Sequence, residues 1–161
     1  MSSLKYFTYS PFAEVLSAQS HYSQAVRVGD RIECSGQGTL TQPPPTPISS
    51  APLTQPPGGW DATGAIPTSL AAEMEQAFAN VDACLRSAGA TGGWAQVYKV
   101  NLYTTDLSDA LFSARAASMK KWAGEGHRPL LTGVGVSGLG LPGMRVEIEV
   151  VAHVPAGGEA S

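Results

Sequence analysis

A chain of 161 residues is long enough for one domain with a real core. Its net charge of -3 leaves no footprint for nucleic acid or an anionic membrane, and no apolar run approaches the roughly 20 residues of a membrane span. Only 14% of residues are charged, which is low for an isolated domain and predicts that part of the surface is covered, most simply by self-association. The N-terminus lacks the basic and apolar regions of a secretory signal. Cys34 and Cys84 lie inside apolar patterns, so they read as buried free thiols of a reducing, cytoplasmic compartment. His21, His127 and His153 are scattered, no Cys/His group has metal-ligand spacing, and no cofactor is expected.

Residues 4–9 read as a first short strand. Gln24–Val28 and Arg31–Ser35 flank Gly29-Asp30, a hairpin turn signal. Residues 41–67 carry repeated prolines, which deny the backbone both helix and ladder hydrogen bonds, so a long loop is predicted there. Within it, Trp60 is the residue expected to fold the loop back onto the body. Ser69–Ser87 is predicted as a helix, with Leu70, Met74, Phe78, Val81 and Leu85 in one apolar stripe and Gly89 as its cap. Ala95–Thr105 reads as a strand with Lys99, Asn101 and Tyr103 on one face. A second helix is capped by Asp106 or Ser108, runs to about Trp122 and ends at Gly124; its predicted stripe is Leu111, Phe112, Ala116 and Met119. Leu130–Val136 and Met144–His153 read as two more strands, and 155–161 as a loose tail.

The last strand alternates strictly: Val146, Ile148 and Val150 point one way, Arg145, Glu147 and Glu149 the other. Ile32 and Cys34 likewise oppose Arg31, Glu33 and Ser35. The order β-β-β, loop, α, β, α, β, β gives one domain over 1–161: a two-layer α+β fold with about six strands and both helices on one face. The other face, bearing Lys99, Asn101, Tyr103, Arg145, Glu147 and Glu149, is left bare, and the low charge favours its packing against copies of itself. Arg145 and Glu149 flank Glu147 at a strand spacing of two, about 7 Å away on the same face. Burial of Glu147 would suit it to general acid or base work, while an interface ion pair with Arg145 or a neighbour's Lys99 is the plainer alternative.

Tyr22-Ser-Gln-Ala-Val, Gly29-Asp30, Cys34-Ser-Gly-Gln37, Asn80-Val81, Ala88-Gly-Ala90, Lys99-Val-Asn-Leu-Tyr-Thr-Thr-Asp106, Leu141-Pro142 and Val146-Glu-Ile-Glu-Val-Val-Ala152 resemble, together and in order, the Rid family, also called YjgF-like or L-PSP-like. The resemblance implies a chorismate-mutase-like fold and homotrimers with ligand clefts between subunits. It also implies hydrolysis of imines and enamines to the keto form and ammonia. By this resemblance Glu147 and Tyr22 are the candidate catalytic residues, and Ser35, Gly36, Gln37, Asn101, Tyr103, Arg128, Leu131, Thr132 and Trp60 the candidate substrate-binding residues. The family's cleft arginine, which grips a substrate carboxylate after a Pro-x-Arg sequence, falls on Leu131 in Arg128-Pro-Leu-Leu-Thr132. An apolar residue cannot do that work. Leu130, Leu131, Trp60 and Trp122 together suggest an apolar cleft wall.

The expectation is therefore a Rid-like enzyme acting on a neutral or apolar imine, enamine or enol rather than a standard 2-imino acid deaminase. The alternative is a non-catalytic ligand-binding or regulatory trimer. An RNase, an activity sometimes attributed to the family, is disfavoured by the net negative charge and the lack of a basic stripe.

Overall fold

The computed structural model describes residues 4–9, 14, 17–18, 20–38 and 66–155. Residues 41–65 of the loop predicted over 41–67, with Trp60, and the tail beyond residue 155 lie outside the described residues. Strands β1 (Lys5–Phe7), β2 (Ala25–Val28), β3 (Arg31–Gln37), β4 (Val97–Thr104), β5 (Leu130–Gly135) and β6 (Val146–His153) form one six-stranded sheet in the order β1-β2-β3-β6-β4-β5. All neighbours are antiparallel except β4 and β5, whose parallel pairing is bridged by a helix. Helix α1 (Leu70–Ser87) lies over β3 and β6, and α2 (Asp109–Ala123) packs against α1. The predicted two-layer α+β fold is the observed one. The sequence reading has no helix ahead of Tyr22, whereas Glu14, Ser17, Ala18 and Ser20 are helical.

Local chemistry accounts for the helices. The hydroxyl of Ser69 caps α1 by accepting from the Ala72 N–H at 3.1 Å. At the other end Gly89 takes φ 100°, and the N–H groups of Gly89 and Ala90 donate to the carbonyls of Arg86 and Leu85. That is a Schellman ending, which a glycine adopts without steric penalty. Between these caps Met74, Phe78, Val81 and Leu85 are all buried, as the stripe predicts. They meet Ile32, Val100, Leu102, Val146, Ile148 and Val150 from the sheet. Trp94, in a short 3-10 turn before β4 (Gly93–Gln96) whose last two residues the sequence reading took for strand, stacks on Phe78 at 4.4 Å and donates its indole N–H to the Phe78 carbonyl at 2.9 Å.

The stripe of α2 is corrected. Leu111 is buried and Met119 half-buried, but Phe112 is 42% exposed and Ala116 is also on the outside; Ser118 and Ala123 take the inner positions. Phe112 follows Leu111 directly and is turned about 100° round the helix from it, beyond the reach of the core. Trp122, half-buried, packs on the core and donates its indole N–H to Glu75 of α1 at 3.1 Å, tying the two helices together. Cys34 and Cys84 are buried and unpaired, as expected. Their mutual hydrogen bond, with burial, pushes the Cys84 thiol pKa up.

Arg145 also departs from the alternation read for it. It precedes β6 and turns to the helix side, where its Nε meets the Glu73 carboxylate at 2.6 Å and its backbone N–H donates to the same carboxylate at 2.7 Å. Its Nη2 also donates to the Pro67 and Thr68 carbonyls, pinning the chain ahead of α1. Glu73 is 0% exposed and Arg145 is 30% exposed. A buried carboxylate is far costlier alone than paired, so the pull of Glu73 outweighs the strand alternation. Arg145→Met, which strands that carboxylate, is expected to lower stability in urea unfolding by roughly 3 kcal/mol. Adding Glu73→Leu should recover much of the loss. A double variant as unstable as the sum of the single ones would contradict the pairing.

Candidate active site

The register fixes which side chains share the open face. Tyr6, Val26, Glu33, Val151, Lys99 and Leu130 form one row across the sheet. Glu149, Asn101 and Thr132 form the next, and Glu147, Tyr103 and Val134 the one after. Predicted residues Glu147, Asn101, Tyr103 and Thr132 are thus brought together on one face, with Glu149. The helix-facing rows are Phe7, Ala25, Cys34, Val150, Val100, Leu131 and then Gln37, Ile148, Leu102, Gly133. Leu131 and Gln37 therefore lie on the opposite face from Glu147. Leu131 sits at the sheet's edge, 37% exposed, beside α2.

The pairing of β3 with β6 is irregular between Cys34 and Gln37. This is where Ser35 and Gly36 fall. Such an irregularity bends a strand and frees it from the strict alternation. Gly36 is needed at this spot: a Cβ there would lie 1.8 Å from Oε1 of Glu147. The absent side chain lets the Glu147 carboxyl rest directly on the β3 backbone. Ser35 donates its hydroxyl to the Gln24 carbonyl at 3.2 Å, so it is a structural tie and not a free nucleophile. Gln37 is buried; its amide donates to the Ser35 carbonyl at 3.1 Å and its oxygen accepts from the Tyr9 phenol at 3.1 Å. It braces the bulge from the core side. Burial pushes the Tyr9 phenol pKa up.

A cleft of about 740 Å³ opens beside the bulge. Tyr22, Ser35 and Gly36 of the predicted site line it, joined by Tyr6, Glu33 and Glu149, which were not among the predicted site residues. The alternation of β3 and β6 placed Glu33 and Glu149 on the correct face. Tyr6 was legible only as part of a short strand. Glu147 adjoins this cleft through Gly36. Burial, with the nearby Glu149 charge adding, raises the Glu147 pKa above the ordinary glutamate value. The displaced Arg145 offers no counter-charge on this face. Tyr103, directly across from Glu147 in register, donates its phenol to Glu149 at 2.9 Å, and that bond raises the Tyr103 pKa. A half-buried carboxyl with raised proton affinity, at the edge of a cleft, can exchange a proton with a bound molecule.

Arg128 and Leu131 line a separate depression of about 260 Å³ between β5 and α2. Within one chain they do not meet Glu147 or Tyr22. The two regions lie toward opposite edges of the sheet, one by β1–β3 and the other by β5. Among the described residues no group of His, Cys, Asp and Glu is arranged to hold a metal ion. No helix among them is long and apolar enough to cross a membrane.

Known structures carry the same fold. RidA from the Antarctic bacterium Psychrobacter sp. matches with a TM-score of 0.62 and 30% identity over 83% of this chain and 88% of that one. A Mycobacterium tuberculosis member of the YjgF/YER057c/UK114 family matches with a TM-score of 0.62 and 26% identity over 94% of this chain and 100% of that one. A probable translation initiation inhibitor from Rhodopseudomonas palustris shares the fold with a TM-score of 0.71 at 20% identity, over 96% of this chain and 100% of that one. None of the curated proteins matches. The family model described as endoribonuclease L-PSP matches residues 12–154. The chain belongs to the endoribonuclease L-PSP family, the Rid or YjgF family of the sequence resemblance.

Proposed function

We propose that this chain is a Rid-type enzyme that hydrolyses or tautomerises a small, neutral or apolar imine, enamine or enol, with Glu147 as its proton carrier. The observation that carries this reading is the Glu147 carboxyl, seated on Gly36 at the cleft edge with its proton affinity raised. Protonated Glu147 gives its proton to the enamine carbon. The resulting carboxylate takes a proton from a water that attacks the iminium carbon. Collapse of the carbinolamine releases ammonia and the carbonyl product. Tyr22, on the wall of the same cleft, orients the substrate, and Ser35, Gly36 and Gln37 keep that wall in shape. Asn101, Tyr103 and Thr132 extend the polar face beside Glu147.

The working unit of this proposal is a homotrimer in the cytoplasm, where two buried free thiols stay reduced. A bare face holding both Leu130, 71% exposed, and ionic side chains suits contact between copies. Assembly would also set the β5 edge of one copy, with Leu131, against the cleft of the next. Leu131 in place of a guanidinium supports a substrate without a carboxylate. The same residue favours the second reading, a non-catalytic ligand-binding or regulatory trimer.

Ammonia release from 2-aminoacrylate, generated in place by a dehydratase, is expected to stay near background. A rate comparable to a typical family deaminase would remove the argument from Leu131. With the true substrate, Glu147→Gln is expected to abolish turnover while sedimentation shows the assembly intact. Full activity in that variant would leave the binding-protein reading.

Stability provides a test that needs no substrate. Folding raises the Glu147 pKa, so the folded chain favours the proton more than the unfolded chain does. That contribution is fully present below the unfolded value and is lost as pH rises through the higher folded value. Glu147→Gln does not titrate. In urea unfolding it is expected to gain on wild type as pH rises above the ordinary glutamate range, with the margin shrinking again on acidification. A margin independent of pH would show that the proton affinity of Glu147 is not raised.

A further inference from the structure

Cys34 and Cys84 are the only two cysteines of the chain, and the proposed chemistry uses neither. Cys34 belongs to β3 and Cys84 to α1, and hydrogen bonds to the backbone bring them together. Cys34 pairs in register with Ala25, its side chain toward the helices. The Gln24 carbonyl, next to Ala25, accepts from the Ser35 N–H at 2.9 Å and from the Cys84 thiol at 3.4 Å. Cys84 is thus held on the strand pair from which Cys34 rises, and the two thiols hydrogen-bond to each other. One turn back along α1, Asn80 donates to the Gly38 carbonyl at 2.8 Å. The helix therefore grips β3 on both sides of its bulge. Both thiols are buried, yet Cys34 is also one of the residues that line the 740 Å³ cleft, directly ahead of Ser35 and Gly36 in the same wall. The pair lies where the core borders an open cleft.

We propose that Cys34 and Cys84 are a redox pair that hydrogen peroxide converts to a disulfide, tying the cleft wall covalently to α1. Cys34, as its thiolate, attacks one peroxide oxygen. The O–O bond breaks, Cys34 becomes a sulfenic acid, and the departing hydroxide takes up the Cys34 proton as water. The Cys84 sulfur then attacks the Cys34 sulfur and the S–O bond breaks. The second hydroxide takes the Cys84 proton and leaves as water. Two thiols lose two electrons and two protons, and the peroxide is reduced to two waters. Cys34 is the attacking group because it borders the cleft, while burial and its neighbour favour the protonated form of Cys84. A single thiol so buried is inert; a neighbour in contact traps its oxidised form. Bonded sulfurs lie closer than thiols in contact, so Ser35 and Gly36, which follow Cys34, move with the bond. In a reducing compartment the pair rests as thiols, and an intracellular disulfide of this kind is transient. Such a pair switches the cleft whether the chain catalyses or only binds.

The test exposes the full chain to millimolar hydrogen peroxide, denatures it in a thiol-alkylating reagent and maps its peptides by mass spectrometry. A linked Cys34–Cys84 peptide, lighter by two hydrogens than the two thiol peptides together, is expected, with neither cysteine alkylated. Dithiothreitol should restore both thiols. The backbone amide NMR signals of Ser35 and Gly36 are expected to shift on oxidation and to return on reduction. In Cys84→Ala, Cys34 should stop at the sulfenic acid, captured by dimedone present during the exposure. In Cys34→Ala, Cys84 should remain a free thiol. Both thiols alkylated in the exposed wild type, oxygen added to a cysteine without a linked peptide, or a bond between chains would overturn the proposal, as would Ser35 and Gly36 signals that do not move. The wild-type chain decides the outcome even where a cysteine variant fails to fold.

Discussion

The Glu73 carboxylate is buried in the first turn of α1, and the arrangement of the sheet's working face depends on how its charge is met. Arg145 meets it with both a side-chain and a backbone donor. One residue thereby locks the start of β6 to α1 and to the segment that leads into α1. Because β6 is the central strand between β3 and β4, its register sets the position of everything on either side. The same contact removes a cation from the open face. What remains there beside Glu147 is a second carboxylate, a phenol and an amide, none of which compensates its charge.

The open face then becomes chemically asymmetric through small local features. The irregularity at Ser35 and Gly36 brings the β3 backbone against Glu147, and the absence of a side chain at Gly36 lets that carboxyl settle there. Burial disfavours its charged form, and Glu149 disfavours it further. Tyr103 occupies Glu149 with a hydrogen bond, leaving the two carboxyls in unlike surroundings. Two acids on one strand, spaced by two residues, are thus inequivalent. Inequivalence of this kind is what acid–base work on a single substrate requires.

Much of the architecture was legible because periodicity reports burial directly. The alternation of β3 and β6 and the apolar stripe of α1 each describe a surface that must meet the core, and they did. The family resemblance, carried by short motifs over most of the chain, agreed with that pattern. Illegible features were those in which a specific partner overrides a period. Arg145 leaves its strand face for Glu73, and Trp122 is held by Glu75. None of these partners is near in sequence. The site was legible in the same uneven way. Glu147, Tyr22, Ser35 and Gly36 lie near one another within one chain, whereas Leu131 and Arg128 stand on the far side of the sheet, because pairing with Val100 sends Leu131 toward the helices.

Family membership gives the fold and supports a small-molecule deaminase or binding role. The proposed function adds Glu147 as the acid that exchanges protons and reads Leu131 as the apolar replacement for a carboxylate-gripping arginine. Everything in the proposed reaction passes through the proton on Glu147. The most direct test is a carbon-detected NMR titration of the Glu147 side-chain carboxyl in the folded protein. A midpoint above the ordinary glutamate range is the result this account predicts, and a midpoint at or below that range would contradict it.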